Sequence, residues 1–297
     1  MDRIEEIFCV VDDFCKEFKL EDHYHQKQID NGIRRRNRSG KMHLSEMLTI
    51  LLLFQSSHYR NFKHFYYGAI LGSLQSAFPT AISYTRFVTL IPRLLLPLCL
   101  FLKNLYVSSD GIAYIDSTPI AVCHPKRISR HKVFSGLAEI GKTTKGWFFG
   151  FKLHLIINHR GEVCSCQLST GNINDREPVI ELTEFLQGKL FGDKGYIDQK
   201  LCAQLLERGI YLVTGIKKNM KNKLLSLWDK ILLRKRGLIE SANNLLKTTF
   251  HLEHSPHRSP WNGFVHMLSA ITAYALHPNK PTLKLSEQDL KDLLQMA

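Results

Sequence analysis

The stretch GIAYIDSTPI, Gly111 to Ile120, sets one charged side chain, Asp116, among apolar and β-branched neighbours that read as a buried strand. A carboxylate enclosed in a mostly apolar sheet needs a cation or strong hydrogen-bond donors beside it. A chain with such a strand must therefore bring something positive or polar to Asp116, which makes it the first candidate metal ligand. Taken alone, Asp116 reads more simply as a solvated residue where a strand turns into Ser117-Thr118-Pro119; two later stretches shift that balance.

Upstream of Gly111 the pattern is helical. Ile4, Ile7, Phe8, Val11, Phe14, Cys15 and Phe18 recur at intervals of three and four, giving an amphipathic helix with one core face. The polar segment Glu21 to Lys41 holds Arg34, Arg35, Arg36 and Arg38 beside Gly32 and Gly40, and suits a phosphate-contacting arm and a solvated linker equally. Helices are expected from Leu44 to about Ser57, from about Asn61 through Leu74, and from a Ser83 cap to about Leu105 with bends at Pro92 and Pro97. Short helices joined by turns, with Arg86 near the start of the last, are compatible with helix-turn-helix docking in DNA. The aromatic cluster Phe62, Phe65, Tyr66 and Tyr67 reads as interior packing.

Downstream the texture changes to strands. A basic connector from His124 to Lys145 carries Lys126, Arg127, Arg130, His131, Lys132 and Lys142. Trp147 to Asn158 and Val163 to Ser169 form a hairpin about Gly161, and Asn174 and Asp175 open a helix from about Glu177 to Leu186. Lys189 to Phe191 is a fourth strand ending in Gly192-Asp193-Lys194-Gly195-Tyr196, where the two glycines allow a tight turn. A helix with Leu201, Leu205 and Leu206 stops at Gly209, Tyr211 to Ile216 is a fifth strand, and the basic run Lys217, Lys218, Lys221 and Lys223 leads into a long helical region ending near Lys247. The expected segments are a helical 1–108, a strand-rich 109–276 and a tail, 277–297, with Leu283, Leu285, Leu290, Leu293 and Leu294.

Charge narrows the partner. The 40 Lys and Arg against 27 acids leave a net +13 and a pI near 9.4, which points to a polyanion, nucleic acid before membrane. Seven scattered cysteines suit a reducing cytoplasm. Asp2, Glu5 and Glu6 interrupt any signal-peptide pattern, and the apolar run Leu94 to Leu102 is short for a bilayer span, so a soluble protein is expected.

Three acids sit at element ends: Asp116, Asp193 and Glu240. In a sheet ordered 3-2-1-4-5, strands one and four are neighbours, so Asp116 and Asp193 meet at one edge and a helix packed over it can add Glu240. Clustered carboxylates repel until divalent cations neutralise them, and hard oxygen ligands favour Mg²⁺ or Mn²⁺. Two such ions, about 3.5 to 4 Å apart in comparable sites, activate a water or a 3′ hydroxyl for in-line phosphodiester displacement. Arg236 lies one helical turn before Glu240 and Lys247 two turns after it, one face offering a ligand between two phosphate-binding cations. Lys194, Lys126, Arg127, Lys217 and Lys218 complete the expected DNA contacts.

The pieces YIDSTPI, GWFFGFKLHLII, LFGDKGYI, VTGIKKNMKN and RGLIESANNLLK, the last continuing into LEHSPHRS, resemble bacterial insertion-sequence transposases of the DDE type, most closely their 982 family, over nearly the whole chain. The resemblance implies a ribonuclease-H-like α/β catalytic domain behind an all-helical N-terminal domain. It also implies Asp116, Asp193 and Glu240 as ligands of two Mg²⁺ or Mn²⁺ ions, and Arg236 and Lys247 as the flanking basic pair. Double-stranded DNA would be the partner, as element terminal inverted repeats and target, with a homodimer assembled on DNA and no membrane. Related families often carry a Tyr where this chain has Leu233, and the 47-residue separation of Asp193 and Glu240 leaves no room for a large inserted domain. A non-catalytic DNA-binding protein and a nuclease that cuts without joining are the rival readings.

Three further features read as structural, and a fourth stays open. Asp175 suits a helix N-terminus, His154 a satisfied sheet histidine, and Cys164 and Cys166 lack the partners of a zinc site. His251, His254, His257 and Arg258 suit a solvated loop as well as a DNA contact.

Overall fold

The computed structural model describes residues 2–20, 40–144, 146–216, 225–253 and 257–284. Arg34, Arg35, Arg36, Arg38, Lys145, Lys217, Lys218, Lys221, Lys223, His254, Leu285, Leu290, Leu293 and Leu294 lie outside the described residues. The chain divides into two units, Met1–Leu105 with Leu246–Leu276, and Tyr106–Leu245 with His277–Ala297. Residues 246–276, placed by sequence in the strand-rich segment, thus group with the N-terminal helices.

In the helical unit, α1 (Asp2–Glu17) buries Ile7, Val11, Phe14 and Cys15, a stripe at the helical period. Helix α2 (Leu44–Gln55) starts where the Glu46 carboxylate accepts the His43 N–H at 2.7 Å, and its near-continuous apolar sequence is buried on almost every side. It has no face left for a DNA groove. Asn61 caps α3 (Phe62–Phe65), which runs on as a π-helix, Tyr66–Ser73. Phe62, Phe65 and Tyr66 pack with Phe54 and Phe87 as the sequence suggested, whereas Tyr67 is half exposed. Ser83 caps α4 (Tyr84–Leu90). Pro92 sits in a 3-10 turn, Ile91–Leu94, and Pro97 in the first turn of α5 (Leu95–Asn104), where a missing N–H is tolerated. The whole run Tyr84–Asn104 is long and apolar enough to cross a membrane by length and composition, beyond the Leu94 to Leu102 stretch read from sequence; Phe87, Leu94, Leu98 and Phe101 are buried in the helical core.

The second unit is an α/β layer on a mixed sheet. Strand β1 (Ile112–Cys123) pairs antiparallel with β3 (Gly146–Asn158), and β3 pairs antiparallel with β2 (Glu139–Thr143) and β4 (Val163–Thr170). The short β2 lies inside the stretch read as a basic connector. Beyond β4 the expected Glu177 to Leu186 helix shrinks to α6 (Val179–Leu182) among turns. Strand β5 (Gly188–Gly192) pairs in parallel with β1 on one side and with β6 (Ile210–Thr214) on the other, with α7 (Gln199–Glu207), capped by Asp198, between them. Sheet order is β2-β3-β1-β5-β6, with β4 on β3.

One face of this sheet is apolar: Ala113, Ile115, Ile156 and Leu190 pack with Val179, Leu182, Leu201 and Leu205. On the other side lie α8 (Leu227–Arg234) and α9 (Gly237–Thr248). Lys189 of β5 meets Asp229 of α8 at 3.0 Å, both largely buried, and the Tyr114 hydroxyl donates to the Leu232 carbonyl at 3.2 Å. The long helix read from sequence is broken at Lys235–Arg236. The start of the tail joins this unit, where the Leu283 N–H donates to the His159 carbonyl at 2.8 Å. Helix α10 (Pro260–Ala275) packs in the helical unit against α2 and α5.

Candidate active site

Alternation along β1 puts Ile115 and Ser117 on the apolar face and Tyr114 and Asp116 on the face turned to α8 and α9. Asp116 Oδ2 there accepts a hydrogen bond from Asn243 Nδ2 of α9 at 3.1 Å. The parallel register of β1 and β5 runs through Tyr114 opposite Phe191, so continuing it brings Asp193, the first residue after β5, level with Asp116. Neither Gly192 nor Gly195 has a positive φ. Gly192 instead admits close neighbours: a Cβ there would stand 3.2 Å from both Ile115 and Tyr196. Gly195 lies in the 3-10 turn Lys194–Tyr196, closed by the Tyr196 N–H donating to the Asp193 carbonyl at 3.0 Å, so the chain turns tightly here without left-handed backbone.

Arg236 occupies the turn between α8 and α9. Its Nη2 donates to Glu240 Oε1 at 2.8 Å, one helical turn on, and stands 4.0 Å from Asp193 Oδ1. Asp193 and Glu240 are more than half exposed, while Asp116 is partly buried. Burial pushes the Asp116 carboxyl up to about 6; the Arg236 charge, the Ser117 backbone N–H and the Asn243 amide oppose this, and the Glu240 charge adds to it. The Tyr196 phenol is pushed far up by burial and by the charges of Asp116, Asp175 and Asp193. Three acids distant in sequence thus share one electrostatic neighbourhood, with a guanidinium among them. Among the described residues, no three His, Cys, Asp or Glu side chains stand close enough to hold one metal ion.

The remaining expected contacts are dispersed. Lys194 is exposed in the 3-10 turn Lys194–Tyr196 directly after Asp193. Lys126 and Arg127 are exposed on the 3-10 turn Pro125–Arg130, at the end of β1. Arg86 is exposed on α4 of the helical unit. Lys247, read from sequence as sharing a face with Arg236 and Glu240, belongs to the helical unit and pairs with Glu253 at 3.0 Å.

A family model described as "Transposase DDE domain" matches residues 107–260, more than half of the chain. The chain belongs to the DDE transposases. No similar protein of curated function and no similar solved structure was found for this DDE transposase. The match covers Asp116, Asp193, Arg236, Glu240 and Asn243 together.

Residues considered as decoys in the transposase have partners of their own. Asp175 takes the Lys152 ammonium at 2.9 Å, a strand-to-loop tie, while Asn174 makes the local turn with Arg176 and Glu177. His154 meets Ser169 Oγ at 2.8 Å, and burial pushes its imidazole down to about 4, so it stays neutral at pH 7. Cys166 lies by the Tyr106 hydroxyl and Cys164 is raised to about 12 by burial. Asn243 is the residue that sequence reasoning missed. An uncharged side chain in an amphipathic helix gives no signal by charge or period, and only its spacing of three from Glu240 hints that it shares that face.

Proposed function

We propose that this DDE transposase belongs to the 982 family of insertion-sequence enzymes, cuts the ends of its element and joins them to target DNA. The observation that carries the reading is Arg236, a single cation bonded to Glu240, 4.0 Å from Asp193, and the foremost charge favouring ionised Asp116. Three carboxylates gathered from a strand, a strand end and a helix are arranged around positive charge. The sheet pairing and the helix over Asp116 suit a ribonuclease-H-like catalytic domain.

The donor set fits a hard divalent cation. All three side chains offer oxygen, and added positive charge beside Asp116 further favours its ionised form against burial. Asp116, Asp193 and Glu240 would hold two Mg²⁺ or Mn²⁺ ions, with Arg236 giving up Glu240 as they enter. When bound, such ions supply a nucleophilic oxygen and stabilise the leaving one in phosphodiester displacement. The chain's own residues do the rest. Asp116, ionised above about pH 6, would face the cations, Asp193 and Glu240 would turn from Arg236, and Arg236 and Lys194 would then be available to phosphate oxygens at the cut.

The ribbon of β1 and β3 extends past the end of β5, from Ser117 to Cys123, and the turn with Lys126 and Arg127 follows it. A duplex laid along that ribbon meets those cations before it reaches the acids. Lys217, Lys218 and Lys247 are further proposed contacts. The helical unit, with Arg86 outward, is the proposed reader of the terminal inverted repeats. The protein is proposed to act in the cytoplasm as a homodimer on DNA, because two ends are processed together.

The test is to incubate the full chain with Mg²⁺ or Mn²⁺ and end-containing DNA and map the products. Cutting and joining are expected, with Asp193→Asn binding DNA and leaving it intact. Cutting by that variant overturns the assignment, and cutting without joining favours a nuclease.

A further inference from the structure

The contact between Asn243 and Asp116 has three properties that a chance helix-surface amide lacks. Asn243 is 6% exposed, so its amide is out of water. Its Nδ2 is committed to one oxygen of the carboxylate on β1. Its Oδ1 is buried with no hydrogen-bond partner among the described residues. A buried amide oxygen left without a donor is unfavourable, so a fold that keeps one needs a reason at that site.

We infer that Asn243 is a positioning residue of the metal-loaded site, holding Asp116 Oδ2 so that the other carboxylate oxygen is presented to a divalent cation, with Asn243 Oδ1 kept for a water on that cation. The inference rests on the metal reading above and extends it to a residue that is not one of the three acids.

Geometry supports the role. Asn243 follows Glu240 by three positions on α9, so one helix face carries the bond to Glu240's partner Arg236 and the bond to Asp116. Ala242 and Leu246 are fully buried beside it, which fixes the helix and hence the amide. A carboxylate with one oxygen pinned has lost the rotamer freedom that a cation would otherwise have to freeze on binding. Strand and helix are thereby locked together before any metal arrives, and Asp193 and Glu240, both exposed, supply the adaptable part of the site.

The experiment uses the full chain and reads Mn²⁺ uptake by calorimetry, alongside thermal melting and DNA binding without metal. Asn243→Leu, close in volume and unable to hydrogen-bond, and Asn243→Ala are compared with the wild type and with Asp116→Asn. Both Asn243 variants are expected to melt cooperatively and bind DNA like the wild type, while Mn²⁺ affinity falls about 10- to 100-fold. The Mn²⁺ concentration that half-activates cutting should rise by the same factor, with cutting restored at saturating metal. Wild-type Mn²⁺ uptake in either folded variant overturns the role. So does loss of cooperative melting in both, which makes Asn243 a purely structural residue. A wild-type chain that takes up no Mn²⁺ overturns the metal reading itself, a result separable from the first because it appears in the wild-type arm.

Discussion

The Arg236 guanidinium and the Glu240 carboxylate meet at 2.8 Å across one helical turn, and the same guanidinium stands 4.0 Å from Asp193. Because Glu240 is more than half exposed, the pair itself adds well under about 1 kcal/mol to stability. Its consequence lies at Asp116, where Arg236 is the strongest influence opposing burial. Arg236→Met should leave the melting temperature within a few degrees of wild type and move the Asp116 titration above about 6. Carboxyl-carbon NMR checks this, and an Asp116 midpoint that stays put or falls contradicts the electrostatic picture.

Asp116 also makes stability depend on pH in an uncommon direction for a carboxylate. Its folded value of about 6 lies above the ordinary 3.8, so the folded chain holds this proton more tightly than the unfolded chain does. Stability from this group is intact below pH 4, falls as pH rises from about 4 to 6, and levels off above 6. The span corresponds to at most about 3 kcal/mol. Asp116→Asn should therefore be more stable than wild type in urea above pH 6, with the gap closing toward pH 4. A gap that widens on acidification contradicts the shift. By the same proton linkage, divalent metal uptake should weaken as pH falls below about 6.

Lys189 and Asp229 form the buried pair that ties β5 to α8, with side-chain exposures of 11% and 14%. Removing one partner leaves the other charge enclosed, which destabilises by about 3 to 5 kcal/mol, whereas replacing both with apolar side chains is far milder. Lys189→Met should thus be severely destabilised, and Lys189→Met with Asp229→Leu should recover much of the loss. Denaturant unfolding of the single and double variants gives the coupling directly.

Gly188 has φ +89°, and a Cβ there would lie 2.6 Å from the Gly111 backbone, where the chain enters the β1–β5 pairing. Gly188→Ala combines a disfavoured backbone region with a backbone clash, and should destabilise by about 2 kcal/mol or more. Reduced soluble yield and a lowered urea midpoint are the readouts; an unchanged midpoint means the two strands can move apart there.

The strand bearing Asp116 was legible because its apolar alternation is long and carries a single acid. The Arg236 and Glu240 contact was legible because a spacing of four is a helical turn. What sequence hid was set by non-local contacts or by weak local signal. Glu139–Thr143 is five residues long with two charges and a glycine, so β2 acquires strand character from β3 rather than from its own composition. Lys247 continues the spacing of Arg236 and Glu240, yet its partner is Glu253, which sequence periodicity along one helix cannot reveal. The run from α8 breaks at Lys235–Arg236 and Gly237 opens α9, at a point where apolar periodicity alone continues through.

The ribbon beyond Asp116 gives the last prediction. Lys126 and Arg127 are both exposed on the turn that follows β1. Exposed cations next to phosphate act through counterion release and carry no base preference, so their loss should weaken binding alike for element-end and unrelated DNA. Each phosphate contact removed should lower the slope of log affinity against log salt by about 0.9. Lys126→Ala with Arg127→Ala should therefore flatten that slope by about 2 and leave the preference for element ends intact. Fluorescence anisotropy across a salt series measures both quantities. An unchanged slope would place the duplex elsewhere than along β1 and β3, and a lost end preference would make this turn a reader of sequence rather than a rail for the backbone.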